Sequence, residues 1–122
     1  MRWVTIAALA ALMPGGSLLA QEEKTIAQHY AEAGPVLHHS CQSLVLAHQG
    51  DEDGLVEDIA RLVAVSVINR GIDMTNPNRS AEEEAEIRAE FFDELGDRCR
   101  LDENALIAGV IDGIVADLAR IY

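Results

Sequence analysis

The sequence predicts an all-α protein, a small four- or five-helix orthogonal bundle closed by one disulfide. Apolar residues recur at three- and four-residue steps through most of the chain. Helix-capping residues stand at the head of those stretches, and no run alternates with the period of two that a strand requires. The chain has 122 residues, of which 49% are hydrophobic, enough for one packed core and too few for two.

The first twenty residues stand apart. Arg2 is the only charge before Glu22, the run from Val4 to Met13 is largely apolar, and Pro14-Gly15-Gly16 interrupts it ahead of Ser17-Leu18-Leu19-Ala20. A positive end, a short apolar stretch and a small-residue exit predict an export signal over 1–20, cleaved after Ala20. The stretch is far short of the roughly 20 apolar residues that cross a bilayer. The expectation is therefore a single helical domain over 21–122, located in the periplasm, with no membrane anchor after cleavage. Cys41 and Cys99 both lie beyond the cut, and in an oxidising compartment two cysteines most simply pair. The predicted disulfide closes a long loop, worth about 4 kcal/mol by the chain-entropy argument.

Glu22 to Ala33 is a short helical candidate ended by Gly34-Pro35. Val36 to His48 is the second, with Leu37, Cys41, Leu44 and Val45 on nearby turns. Asp51 and Asp53 then offer caps for a long third helix from Gly54 to Met74. Within it, Leu62 to Ile68 has Ser66 as its one polar residue. A turn that is apolar all round belongs in a bundle centre or in an interface. Leu62, Val63, Val67 and Ile68 are therefore the candidate residues for self-association or for binding a client.

Residues 75–79 read as a loop. Ser80 and Glu83 have capping-box spacing, opening a fourth helix to about Arg98 with an acidic first turn suited to the helix dipole. Ile87, Phe91, Leu95 and Cys99 recur along it at four-residue steps. Glu84 with Arg88, and Glu94 with Arg98, have the spacing of helix-surface pairs. Asp102 is the expected cap of a last helix in which Ile107, Ile111, Ile114, Leu118 and Ile121 repeat. Gly109 and Gly113 there suggest close backbone packing.

Charge narrows the partners. Arg2 leaves with the signal, so the formal net charge moves from −12 to −13. Such a chain repels nucleic acid and anionic membranes, and neither is an expected partner. His38, His39 and His48 surround Cys41 without a carboxylate at matching helical spacing, and a bonded cysteine is no metal ligand. Asp51-Glu52-Asp53-Gly54 fails as a calcium loop, with Gln49 where its first aspartate belongs and Ala60 where its last glutamate belongs. No Gly-x-Ser-x-Gly or glycine-rich phosphate loop is present, and beyond the signal there is no tryptophan to make a sugar platform. No metal, cofactor or catalytic activity is expected.

Ser40-Cys41-Gln42-Ser43-Leu44, the apolar helix from Leu55 to Met74, and the stretch Phe92-Asp93-Glu94-Leu95-Gly96-Asp97-Arg98-Cys99-Arg100-Leu101-Asp102 together resemble the periplasmic HdeA/HdeB-type proteins. The resemblance covers about residues 36–121 and consists of cysteine placement and helix order. His39 and Ser40 stand where that family has an aromatic residue, and the acidic segment from Ser80 to Glu90 is extra length. The resemblance implies a homodimer and an acid-activated chaperone that binds unfolding clients through apolar helix surfaces. The alternative is a periplasmic immunity or inhibitor protein whose acidity suits a basic toxin or enzyme.

Overall fold

Among the described residues, four of the five helices begin at a residue whose side chain turns back onto its own backbone. The structure is a computed structural model that describes residues 24–73 and 77–122. Thr25 heads α1 (Ile26–Ala33) and Ser40 heads α2 (Cys41–Ala47), each through a capping box with the residue three positions on. Asp51 heads α3 (Glu52–Arg70), its carboxylate accepting from Gly54 N at 3.0 Å. Ser80 and Glu83 form the predicted capping box of α4 (Ala81–Leu101). These caps satisfy backbone donors that no helical carbonyl reaches. The export signal expected over 1–20 and the loop residues Thr75 and Asn76 lie outside the described residues.

The last helix, α5 (Ile107–Ile121), starts differently. Its N-cap is Leu106, with no side-chain cap. Asp102, expected to cap it, closes α4 instead: its N–H donates to Arg98 O, and its carboxylate accepts from Asn104 N at 3.1 Å. Ala105 N returns to Asp102 O at 3.2 Å, so a turn separates the two helices. The first donor of α5 is met from elsewhere in the chain, Ile107 N reaching His39 O at 3.0 Å. The relation is reciprocal, since Cys41 N reaches Ala105 O at 2.9 Å and Gln42 N reaches Glu103 O at 3.0 Å. Two helix N-termini thus cap one another across an isolated bridge between Ser40 and Leu106.

Other boundaries also move from their expected places. The second helix starts at Cys41 and not Val36, because Gly34–Val36 forms one 3-10 turn with Pro35 at its head. A proline opens a helical turn readily but donates no hydrogen bond to continue one. The third helix stops at Arg70, short of Met74, which lies outside the described residues. Gly71 follows at φ 64°, and Ile72 N donates to Val67 O at 3.1 Å. That is the left-handed C-terminal turn glycine accepts without strain.

The core sits on α5. It packs against α3 on one side and α4 on the other, while α1 packs on α3. Ile111 and Ile114 are wholly buried, and Phe91, Leu95, Ile59 and Leu62 close around them. The four-residue face expected on α4 is observed, with Phe91 and Leu95 buried and Ile87 and Cys99 packed partly against the core. Neither glycine of α5 serves a close approach of helix backbones. Nothing lies within 4 Å of where a Gly109 side chain would start, and at Gly113 the near atom is an Arg98 guanidinium nitrogen at 3.3 Å. Gly113 makes room for an arginine.

Candidate functional site

Leu62 and Val63 are 3% and 4% exposed, enclosed by the subunit's own core, whereas Val67 and Ile68 are half-buried. Cys41 and Cys99 are bonded, with Cα atoms 5.6 Å apart. The bond stands beside the reciprocal caps just described, so one corner holds a covalent tie and three backbone hydrogen bonds. Leu101 and Leu106, in the segment that supplies those caps, are exposed.

The polar groups of α5 form the other notable arrangement. Asp112 accepts from Arg70 Nε and Nη2 at 2.8 and 2.7 Å, and from the Ser66 hydroxyl at 2.6 Å. One carboxylate therefore joins α5 to two successive turns of α3. Ser66, the lone polar residue of the apolar turn, is buried and spends its hydroxyl on this tie. One turn and a half further along α5, Asp117 accepts from Arg98 of α4 at 2.7 Å and also from Arg120. Arg98 donates to Glu94 at 3.0 Å as well, which realises the expected pair on α4. The pair expected between Glu84 and Arg88 is not formed. Glu84 lies 3.8 Å from Arg79, and the Arg88 guanidinium stands 5.9 Å over the Phe92 ring.

Both carboxylates on α5 are held below the usual aspartate range. For Asp112 the chief cause is the hydrogen bonding from Arg70, then that from Ser66; for Asp117 it is the hydrogen bond from Arg98. In each case partial burial opposes the shift. Acid must work against these partners before either carboxyl takes a proton. Between α4 and α5 an open groove of about 210 Å³ has Ile114 and Leu118 as its floor and Glu90, Glu94, Arg98 and Asp117 along its walls.

The histidines go to separate places. His38 and His39 stack on one another with ring centroids 4.3 Å apart, and His39 Nδ1 lies 2.9 Å from the Ser43 hydroxyl. That hydroxyl already accepts from Ser40 N at 2.8 Å, so it belongs to the cap of α2. His48 Nε2 lies 2.6 Å from Asp58, whose other oxygen takes Arg61. A side chain at Gly54 would run into the Asp51 carboxylate and the His48 ring, and glycine leaves room for both. His29, half-buried on α1, is held below the usual histidine value by burial and then by Lys24, against Glu32.

Among the described residues no three or more His, Cys, Asp or Glu side chains converge as a metal-binding group, and no helix is long and apolar enough to cross a membrane. Sequence reasoning names the disulfide and the apolar turn but misses Asp112, Asp117 and Arg70. The one local trace of them is Ser66, a hydroxyl where every neighbour is apolar. Comparison with protein-family models, curated proteins and solved structures finds no match for this chain.

Proposed function

We propose that this is a periplasmic chaperone of HdeA-like type, activated by acid and binding unfolding clients through apolar helix surfaces. The observation that carries the reading is the pair of carboxylate ties on α5. Asp112 to Arg70 and Ser66, and Asp117 to Arg98, join the central helix to both of its neighbours. Protonation removes the charge from each, and the arginines that remain add to a chain with nothing left to balance it. Well below the ordinary carboxylate range of about 4, the eight Lys and Arg and the four His beyond the signal leave roughly +12 where pH 7 leaves −13. Repulsion among those cations loosens helix contacts, while the Cys41–Cys99 bond keeps the chain from opening fully. The apolar faces of α3 and α5, Leu62–Ile68 and Ile107–Leu118, then become available to clients, and the positive charge keeps the complexes soluble. Self-association as a homodimer at neutral pH belongs to the same reading, with Val67 and Ile68 as the members of the apolar turn that the subunit leaves half-covered.

The test is sedimentation of an acid-labile enzyme at about pH 2–3, with and without this protein. The reading expects less pelleted client in its presence, and equal pellets contradict it. A second reading rests on α4, where Glu82, Glu83, Glu84, Glu86, Asp93 and Asp97 are half-exposed or exposed. Such a face suits an inhibitor of a basic toxin or enzyme, because complementary charge speeds encounter. One tight partner recovered at neutral pH would favour it, and many partners recovered only in acid would favour the chaperone.

A further inference from the structure

We propose that the groove between α4 and α5 receives one arginine side chain of a basic protein partner, with its guanidinium on Glu90 and its aliphatic stem on Leu118 and Ile121. The identity of that partner rests on the inhibitor reading above, whereas the preference of the groove for a guanidinium does not.

Residues at four-residue steps share a helix face, so each helix gives the groove one continuous edge. Glu90, Glu94 and Arg98 follow one another along α4, and Asp117 and Ile121 along α5, with Ile114 and Leu118 as the floor. The two helices run antiparallel here. Arg98 reaches Asp117 at 2.7 Å, while Glu90, earlier on α4, meets the hydroxyl of Tyr122 at 2.8 Å. One end of the groove already holds a guanidinium. Arg98 donates to Glu94 at 3.0 Å and to Asp117, and one of its nitrogens lies 3.3 Å from where a Gly113 side chain would start. A flat cation between acidic walls is thus what this surface accepts from its own chain.

The Glu90 end has the acid and the apolar surface without the cation. Glu90 accepts from the Tyr122 phenol on the surface, and Ile121 beside it is 65% exposed. That phenol is held above its usual value first by the hydrogen bond to Glu90, and the charges of Glu90 and Glu86 add to the effect. The negative field at this end is therefore not cancelled. The cations around it are committed elsewhere. Arg79 lies 3.8 Å from Glu84 and donates to the Tyr122 backbone oxygen, Arg88 stands over the Phe92 ring, and Arg120 pairs with Asp117. Among the described residues no Lys or Arg pairs with Glu90. About 12 Å of helix separates Glu90 from Arg98, so a second guanidinium lies beyond the roughly 8 Å over which exposed charges act at physiological salt. Arginine suits the place better than lysine, because its planar fork meets both oxygens of a carboxylate. Its stem rests on apolar surface while its head stays at the wet rim. At about 210 Å³ the groove falls short of the roughly 300 Å³ that a drug-sized ligand takes, and it suits a single side chain.

The probe is the end-capped tripeptide leucine-arginine-leucine, with analogues carrying citrulline or lysine in place of arginine. Each is titrated at pH 7 into the isotope-labelled, oxidised chain beyond the signal, and backbone amide shifts are followed. Salt at about 0.15 M screens charges more than about 8 Å apart, so the net charge of the chain alone attracts little. The arginine peptide should shift the amides of Glu90, Glu94, Leu118 and Ile121, and the citrulline analogue should bind about fivefold more weakly. Glu90→Gln keeps an acceptor for the Tyr122 hydroxyl and should weaken binding by about the same factor. Glu82→Gln, in the acidic first turn of the same helix, should leave binding unchanged. Ile121→Ser should weaken it by about threefold, through lost apolar contact with the stem. Tyr122→Phe removes the phenol that competes for Glu90 and should tighten binding by about twofold. Mere loosening of the helix end would give the opposite sign. Equal weakening by Glu82→Gln and Glu90→Gln overturns the groove and leaves the acidic face of the inhibitor reading in place. An absence of shifts at those amides, a citrulline or lysine analogue that binds as tightly as arginine, or weaker binding by Tyr122→Phe overturns it too. If the peptides and variants behave as stated yet no tight partner is recovered at neutral pH, the groove stands and the inhibitor reading falls.

Discussion

Asp112 receives both nitrogens of the Arg70 fork, at 2.8 and 2.7 Å, while its first oxygen also takes the buried Ser66 hydroxyl. A single carboxylate on α5 thereby occupies two turns of α3. Its folded carboxyl sits below the ordinary range, so it contributes stability that is present above about pH 4, the unfolded value. That contribution is lost as pH falls through the lower, folded value. Asp112→Asn should therefore cost about 1 kcal/mol at pH 7, discounted for solvent screening. Near pH 2 the variant and the wild type should converge. Urea unfolding of both proteins at pH 7, 4 and 2.5 checks this, and a constant gap across the three values would exclude the charge as its cause.

His29 acts in a different window and with the opposite charge. Burial, then Lys24, keeps its folded value below 6.5. The unfolded chain takes the proton first, so stability declines as pH falls from about 6.5 toward the folded value. In His29→Gln that decline should be absent. Unfolding midpoints at pH 7.5, 6.0 and 5.0 should show a shallower slope in the variant than in the wild type.

The Cys41–Cys99 bond spans 58 residues of sequence. Replacing both cysteines with serine should remove about 4 kcal/mol of stability, since the open unfolded chain regains its loop entropy. Part of the α2 and α5 caps should loosen with it, because Cys41 N and Ile107 N depend on the same corner. Comparing unfolding curves of the two proteins measures the first effect. Amide exchange at Gln42 and Ile107, followed in both proteins, measures the second.

Gly71 holds φ at 64° where α3 ends, and a side chain there meets no neighbouring atom within 4 Å. Gly71→Ala should then cost about 1 kcal/mol through backbone strain alone. Gly109→Ala, on the exposed outer side of α5 with open space around it, should be neutral or slightly stabilising by helix propensity. The pair separates two kinds of glycine by thermal unfolding.

What is legible in the sequence is what is locally encoded. Ser80 with Glu83, the four-residue face of Ile87, Phe91 and Leu95, and the isoleucine repeat of α5 all state their structure within a few turns, and the helices form there. Asp102 misleads because an aspartate two residues before Asn104 serves a turn as readily as a helix cap. The true cap of α5 is the His39 carbonyl, more than sixty residues away in sequence, which leaves no local mark. The same reason hides Asp112 and Asp117, since an acid on a helix surface acquires its meaning from the arginine that another helix brings to it. Leu62 and Val63 are legible as buried but not as to what buries them, because an all-round apolar turn fits a subunit core and an interface equally well.

The measurement closest to the central claim compares the wild type with the double variant Asp112→Asn, Asp117→Asn, using a chemically unfolded client diluted into buffer at pH 6 and pH 2.5. The ties of α5 to Arg70 and Arg98 are what acid is argued to remove, and the variant lacks their charge at every pH. The account predicts that the wild type keeps client soluble at pH 2.5 and not at pH 6, and that the double variant does so at both. A double variant as inactive as the wild type at pH 6, although folded and loosened by amide exchange in α5, would contradict it.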